Sequence, residues 1–231
     1  MKKLLVALLV FGFSEELIGQ IDLQENPVKT SEKQIEDINF VQLYKLFVVG
    51  NFDGNGIDTL SLHHYSNLTK TEIDSFPCPS NLDDWGDFIN CFYNQDIISY
   101  LSFNTKNKDT FHFGNLIGLY CLINIGDNNL DGKDEIALVE ELLDYSRLNY
   151  CYIFTLCNNE WTMLKEFAIH EDAFTYYKDE MSAPHVFSEV KEFLEKHDGK
   201  WFYLDYLKDG WDSIEEVGKM ELLELENCIV N

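Results

Sequence analysis

Basic residues are scarce in this 231-residue chain: 17 lysines and arginines stand against 41 aspartates and glutamates, a formal net charge of −24. Such a surface repels phosphates, which argues against nucleic-acid or anionic-membrane partners and in favour of divalent cations, basic proteins or neutral glycans. Long apolar runs are also missing, and no segment approaches the ~20 residues that a membrane-spanning helix requires. There is no C-x-x-C to suggest zinc, and no G-x-S-x-G, H-E-x-x-H or P-loop. The six histidines form no ligand-spaced pair. His63 and His64 are adjacent in an expected strand and so face opposite ways, while His112, His170, His185 and His197 each stand alone. These absences lead to the expectation of a protein that is not an enzyme.

The N-terminus carries Lys2 and Lys3, an apolar stretch over 4–13, and a short segment ending at Ile18-Gly19-Gln20. That order reads as a secretory signal over 1–19. Gln20 occupies the place where a lipid-anchored protein carries cysteine, so free secretion or a periplasmic or cell-surface location is expected. Removing the signal leaves about 212 residues, the size of one ordinary domain over 20–231. Six cysteines in an exported chain are candidates for bridges and equally for buried thiols, and their fifteen pairings are not ranked by sequence. Cys151 and Cys157 lie too far apart along one expected strand to pair with each other.

Strand-like runs recur along the chain at 41–49, 57–65, 97–103, 116–125, 136–139, 150–156, 161–169 and 201–207, several of them separated by Gly or Asn turns. The stretch around Pro77-Cys78-Pro79 and Asp83, Asp84 and Asp87 reads as a long loop with a helical turn near Trp85. Val186, Val190, Phe193 and Leu194 recur at helical spacing, so an amphipathic C-terminal helix is expected over 188–197, ended by Asp198-Gly199. The period of 213–230 fits neither helix nor strand. The fold expected is mainly β (α+β), built from antiparallel hairpins and sheets with that one helix.

The most informative run is Gly126-Asp127-Asn128-Asn129-Leu130-Asp131-Gly132-Lys133-Asp134-Glu135, which leads into Ile136-Ala137. Asp127, Asn129, Asp131 and Glu135 stand at loop positions 1, 3, 5 and 9, and Lys133 offers its carbonyl at position 7. This is a ring of hard oxygen ligands around a glycine turn, as Ca2+ requires. An EF-hand would need a glutamate at position 12, where the chain has Leu138. A weaker copy at 50–60 offers Asn51, Asp53, Asn55 and Ile57, with neutral Thr59 at position 9. Charge predicts tighter binding by the loop at 126–137. Asp58 and Asp134, one place before position 9, are expected to face away from the ion.

The two strand-loop-strand segments resemble the FG-GAP or VCBS-type repeat, the calcium-binding hairpin of integrin-like β-propellers, which also occurs in short secreted bacterial proteins. The resemblance implies export, a β-rich fold and bound Ca2+, and names no reaction. A mature chain of this length is too short for a complete propeller of blades of about 60 residues. An incomplete propeller-like array or a compact β domain that borrows the hairpin is therefore expected. The function expected is a secreted, calcium-stabilised binding or adhesion module for a protein or glycan ligand. The alternative is a small acidic inhibitor or immunity-type protein that captures a basic partner protein. Among the aromatic residues, Trp211 in Asp209-Gly210-Trp211-Asp212 is the best exposed candidate for a ligand contact.

Overall fold

Alternation of buried and exposed side chains sorts the chain into antiparallel sheets. The computed structural model describes residues 38–80, 84–105, 110–113, 116, 118–141, 146–174, 184–185, 187–208 and 220–228, all within one compact unit, Glu36–Asn231. The expected signal at 1–19, the segment that follows it, and Trp211 lie outside the described residues. In chain order the elements are β1 (Ile38–Gln42), β2 (Lys45–Gly50), β3 (Asp58–Ser66), β4 (Thr71–Glu72), β5 (Ser75–Pro79) and α1 (Trp85–Tyr93). Next come β6 (Ile97–Phe103), β7 (Phe111–His112), β8 (Gly118–Gly126), β9 (Glu135–Glu141), β10 (Leu148–Cys157) and β11 (Glu160–His170). A 3-10 turn at Glu171–Phe174 precedes β12 (Pro184–His185), β13 (Leu194–His197), β14 (Lys200–Tyr203) and β15 (Glu221–Leu222).

Two antiparallel meanders dominate, one in the order β2-β3-β6-β7 and one in the order β8-β9-β10-β11. β12 pairs in parallel with the outer side of β2, and β4 pairs with β3. Smaller sheets join β1 to β5 and β13 to β14 and β15. The mainly β class is as expected, and no sheet among the described residues closes into a barrel. In β3, Leu60, Leu62 and His64 point inward while Ser61 and His63 are less buried, the period-2 pattern of a half-buried strand. β9 differs: Ile136, Ala137, Leu138 and Val139 are all at 0% exposure, so both of its faces are core. Burying Ile136, Leu138 and Val139 contributes about 1.5–3 kcal/mol each, which anchors the strand that leaves the 126–137 loop.

Several expectations are corrected. The single strand expected over 41–49 is two strands, because the Leu43 N–H donates to the Asp74 carbonyl (2.9 Å) and diverts the chain. β1 then pairs with β5 and β2 with β3. The turn expected near Trp85 is a nine-residue helix. The carboxylate of Asp84 caps it by accepting the Asp87 N–H (3.0 Å), and Phe88, Ile89 and Phe92 join Leu43, Phe76 and Cys78 in a small second core.

The amphipathic helix expected over 188–197 is absent. The Val190 carbonyl accepts the N–H groups of Phe193 (3.0 Å) and Leu194 (2.7 Å), and the Val190 N–H donates to the Leu194 carbonyl (2.9 Å). This closes a tight reversal at Glu192, whose φ is +71°, and Leu194–His197 continues as β13. Asp198 and Gly199, at φ +50° and +78°, make a hairpin turn to β14 rather than a helix stop. Asp-Gly between paired strands is the residue pair that such a turn favours. The expected strand over 201–207 ends at Tyr203. Of the six cysteines, Cys78 pairs with Cys91 and Cys157 with Cys228, while Cys121 and Cys151 are buried thiols.

His64 links β3 to the second half of the same meander. A carbonyl can only accept, so Nε2 donates to the Tyr44 carbonyl (3.0 Å), and Nδ1 sits 2.9 Å from the Ser99 hydroxyl. Burial, the largest influence, pushes its pKa down from 6.5 to about 4. Between those values the unfolded chain binds a proton that the folded chain refuses, so stability falls as pH falls through the window. Urea unfolding should lose roughly 2 kcal/mol from this group between pH 7.5 and pH 5. The stability difference between wild type and His64→Gln should change by that amount between the two pH values, and a difference independent of pH would refute the assignment.

Candidate metal centre

The loop between β8 and β9 is curled by its own side chains. Asp127 accepts the N–H of Asp131 at Oδ1 (2.9 Å) and that of Gly132 at Oδ2 (3.0 Å), while Asn129 Oδ1 also accepts the Asp131 N–H (3.1 Å). Asp131 Oδ1 accepts the Lys133 N–H (3.0 Å). These short-range turns explain why Asx residues recur at every second position. Gly132 takes φ +89°, a conformation open to glycine. One carboxylate oxygen from each of Asp127, Asp131 and Glu135 lies within 4.8 Å of the others, and this is the one such group of three or more metal-binding side chains among the described residues. Lys133 turns its ammonium away, donating from Nζ to the Leu156 carbonyl (2.7 Å).

Glu135 is what separates this arrangement from an ordinary acidic turn. It opens β9 at 0% exposure. Its Oε2 accepts the Asn128 N–H (2.7 Å) and, at 3.4 Å, the Asn129 N–H, but its Oε1 is buried without any hydrogen-bond partner. A buried, unpaired carboxylate oxygen is costly. Burial pushes the Glu135 carboxyl up to about 7, with Asp131 and Asp127 raising it further against the pull of the two N–H groups. With no cation, therefore, this residue weakens the fold as pH rises from about 4.5 to about 7. An oxygen-only donor set with an unpaired buried carboxylate fits a hard divalent cation, which would be held by Asp127, Asn129, Asp131 and Glu135.

The weaker loop is built differently. Asn51 Oδ1 accepts the Gly56 N–H (2.9 Å) and Asn51 Nδ2 donates to the Gly132 carbonyl (3.1 Å) of the other loop. Asp53 Oδ1 accepts the Asn55 N–H (2.9 Å), Asn55 Nδ2 reaches the Asp53 carbonyl (3.4 Å), and Ile57 is exposed. Asp53 belongs to no group of three or more metal-binding side chains among the described residues. The sequence reading missed the pairing of the two loops. The Asn51 N–H donates to Asp134 Oδ2 (2.8 Å), and the Asp134 N–H donates back to the Asn51 carbonyl (3.0 Å). Asn124 Nδ2 donates to both the Val49 carbonyl (2.8 Å) and Asp134 Oδ2 (3.0 Å). Asp134, adjacent to a ligand position, thus serves the neighbouring loop.

Two further contacts reach the β8–β9 connection from the C-terminal sheet. Trp201 Nε1 donates to the Ile125 carbonyl (2.6 Å), and Asn128 Nδ2 donates to the Leu223 carbonyl (3.3 Å). Elsewhere His63 and His64 face opposite sides of β3 as expected, His63 stacking on Tyr100 with ring centres 5.2 Å apart. Comparison with protein-family models, with curated proteins and with solved structures finds no match to this chain.

The fit between the loops leaves no room at Gly50. A Cβ there would stand 2.6 Å from Asp134 Oδ2 and 2.8 Å from Phe52 Cζ, and would also strike Asn124. Gly50→Ala should cost about 1–3 kcal/mol in denaturant unfolding. Gly118→Ala, whose Cβ would meet His64 at an ordinary 3.5 Å, should escape that steric cost. Equal losses in both variants would contradict the close approach.

Proposed function

We propose that this chain is a secreted, calcium-stabilised binding or adhesion module without catalytic activity, its hairpins akin to the FG-GAP or VCBS-type repeat. The observation that carries the reading is the buried, unpartnered Oε1 of Glu135 beside Asp127 and Asp131. A cation bound there holds only the folded state and so adds its binding free energy to folding. Two disulfides speak for an oxidising, extracellular environment, and no helix among the described residues is long and apolar enough to cross a membrane.

A partner surface is supported at the same end of the molecule. Leu130 is 86% exposed at φ +64°, and Ile57 on the other loop is 74% exposed. A leucine in the left-handed region costs about 1–2 kcal/mol, and this one gains little packing in return. A protein or glycan ligand is the partner class this reading carries. The competing reading, an acidic inhibitor of a basic protein, draws on the net charge of −24. Capture that collapses at high salt would favour it, whereas calcium-dependent, salt-tolerant retention favours the module.

Thermal unfolding tests the ion. Calcium at about a hundred times its Kd should add about 2.7 kcal/mol and raise the midpoint by about 5–10 °C over the chelated wild type. The gain should grow from pH 5.5 to pH 7.5, since coordination requires deprotonated carboxylates. In Asp131→Ala the gain should largely disappear. Coincident curves in calcium and chelator for the wild type would reject a structural cation.

A further inference from the structure

We infer that the 50–57 loop is an ion-free buttress whose docking on Asp134 sets the cation affinity of the neighbouring loop, so that the chain holds one such ion rather than two. This rests on the metal reading above and specifies which residues outside the coordination shell control it.

The geometry divides the loops by the chemistry of their side chains. Asn51 accepts a loop N–H at Oδ1, from Gly56, as Asp127 and Asn129 do in their own loop, but its Nδ2 also donates to the Gly132 carbonyl, which ties the side chain to the neighbouring loop. The main-chain N–H and the carbonyl of Asn51 are both engaged by Asp134. The side chain best placed to open a second cation shell is therefore committed to the first. Gly54 packs close by, a Cβ built there lying 3.6 Å from Lys133 Cγ and 3.8 Å from the Gly132 carbonyl.

The docked segment is the part of the metal loop that lies between two of its carboxylates. Gly132 and Asp134 follow Asp131 and precede Glu135, and both are held by Asn51. Asn124, at the end of β8, holds the other side of the clasp through Asp134 Oδ2 and the Val49 carbonyl. Fixing residues 132–134 pre-orders the approach of Asp131 and Glu135 to a common centre, so ordering that the cation would otherwise impose is already in place. By linkage, the cation in turn tightens the docking.

The test is calorimetric titration of the chelated full chain with calcium. Wild type should bind one ion. Asn51→Ala, which changes no charge, should weaken binding about tenfold, and Asn124→Ala should do the same from outside both loops. Asp53→Asn should keep one ion at near wild-type affinity. Far-UV circular dichroism at the titration temperature establishes that each variant is folded, and whichever of the two clasp variants folds suffices. Folded clasp variants with wild-type affinity would overturn the inference, as would two ions in the wild type with one lost in Asp53→Asn. A folded wild type that binds no calcium would overturn the metal reading itself.

Discussion

A carboxylate taken out of water must be given a partner, and Glu135 places that demand where the sheets of this protein meet. Its Oε2 is satisfied by the start of its own loop while its Oε1 is not. Around it the loop makes contact with nearly every neighbour: Asp134 with the β2-β3 connection, Ile125 and Asn128 with the C-terminal sheet, and Lys133 with the end of β10. Most of these bonds engage main-chain groups of the partner segment. Displacing the loop would therefore orphan peptide groups in several elements at once, which is why the geometry of residues 125–135 governs more of the fold than its length suggests.

The two glycine loops look alike on paper and divide their work by donor chemistry. A carboxylate only accepts, and three of them facing one another repel unless protons or a cation intervene. An amide both donates and accepts, so the asparagines of the first loop can satisfy peptide groups on each side without any ion. Asp127, Asp131 and Glu135 bring one oxygen each within 4.8 Å of the others, whereas Asn51 and Asn124 stitch one loop to the other. With Asn51 at its head, the first loop docks on its neighbour through side-chain and main-chain groups together.

Two covalent bridges add to these contacts. The β1-β5 ribbon and α1 share only a small core, and Cys78–Cys91 crosses it. Cys157–Cys228 ties the C-terminal tail to the tip of the β10-β11 hairpin, beside the carbonyl that Lys133 contacts. Cys121 and Cys151, both opposite Val139 on either side of β9, behave instead as small apolar side chains in the main core. Their thiols are raised well above the usual range by burial.

Local signals were legible wherever the physical cause was local. The alternation of β3 and β6, the Asn158-Asn159 hairpin at φ +51° and +68°, and the Asx turns from Asp127 to Lys133 follow from residue preferences within a few positions. The same reading failed at 188–197, because Val190, Phe193 and Leu194 suit a helix face as well as a turn followed by a strand. The choice fell to β14, which offers a ladder from Leu194↔Tyr203 to His197↔Lys200. The break at Leu43 likewise depended on the Asp74 carbonyl, far along the chain. By itself, then, the amino-acid order determined which segments turn, which extend, and which oxygens a cation would find hard enough to bind. Tertiary structure decided that Glu135 is sealed from water and that Asn51 is locked onto Asp134, since burial and cross-loop hydrogen bonds exist only once distant strands have been brought together.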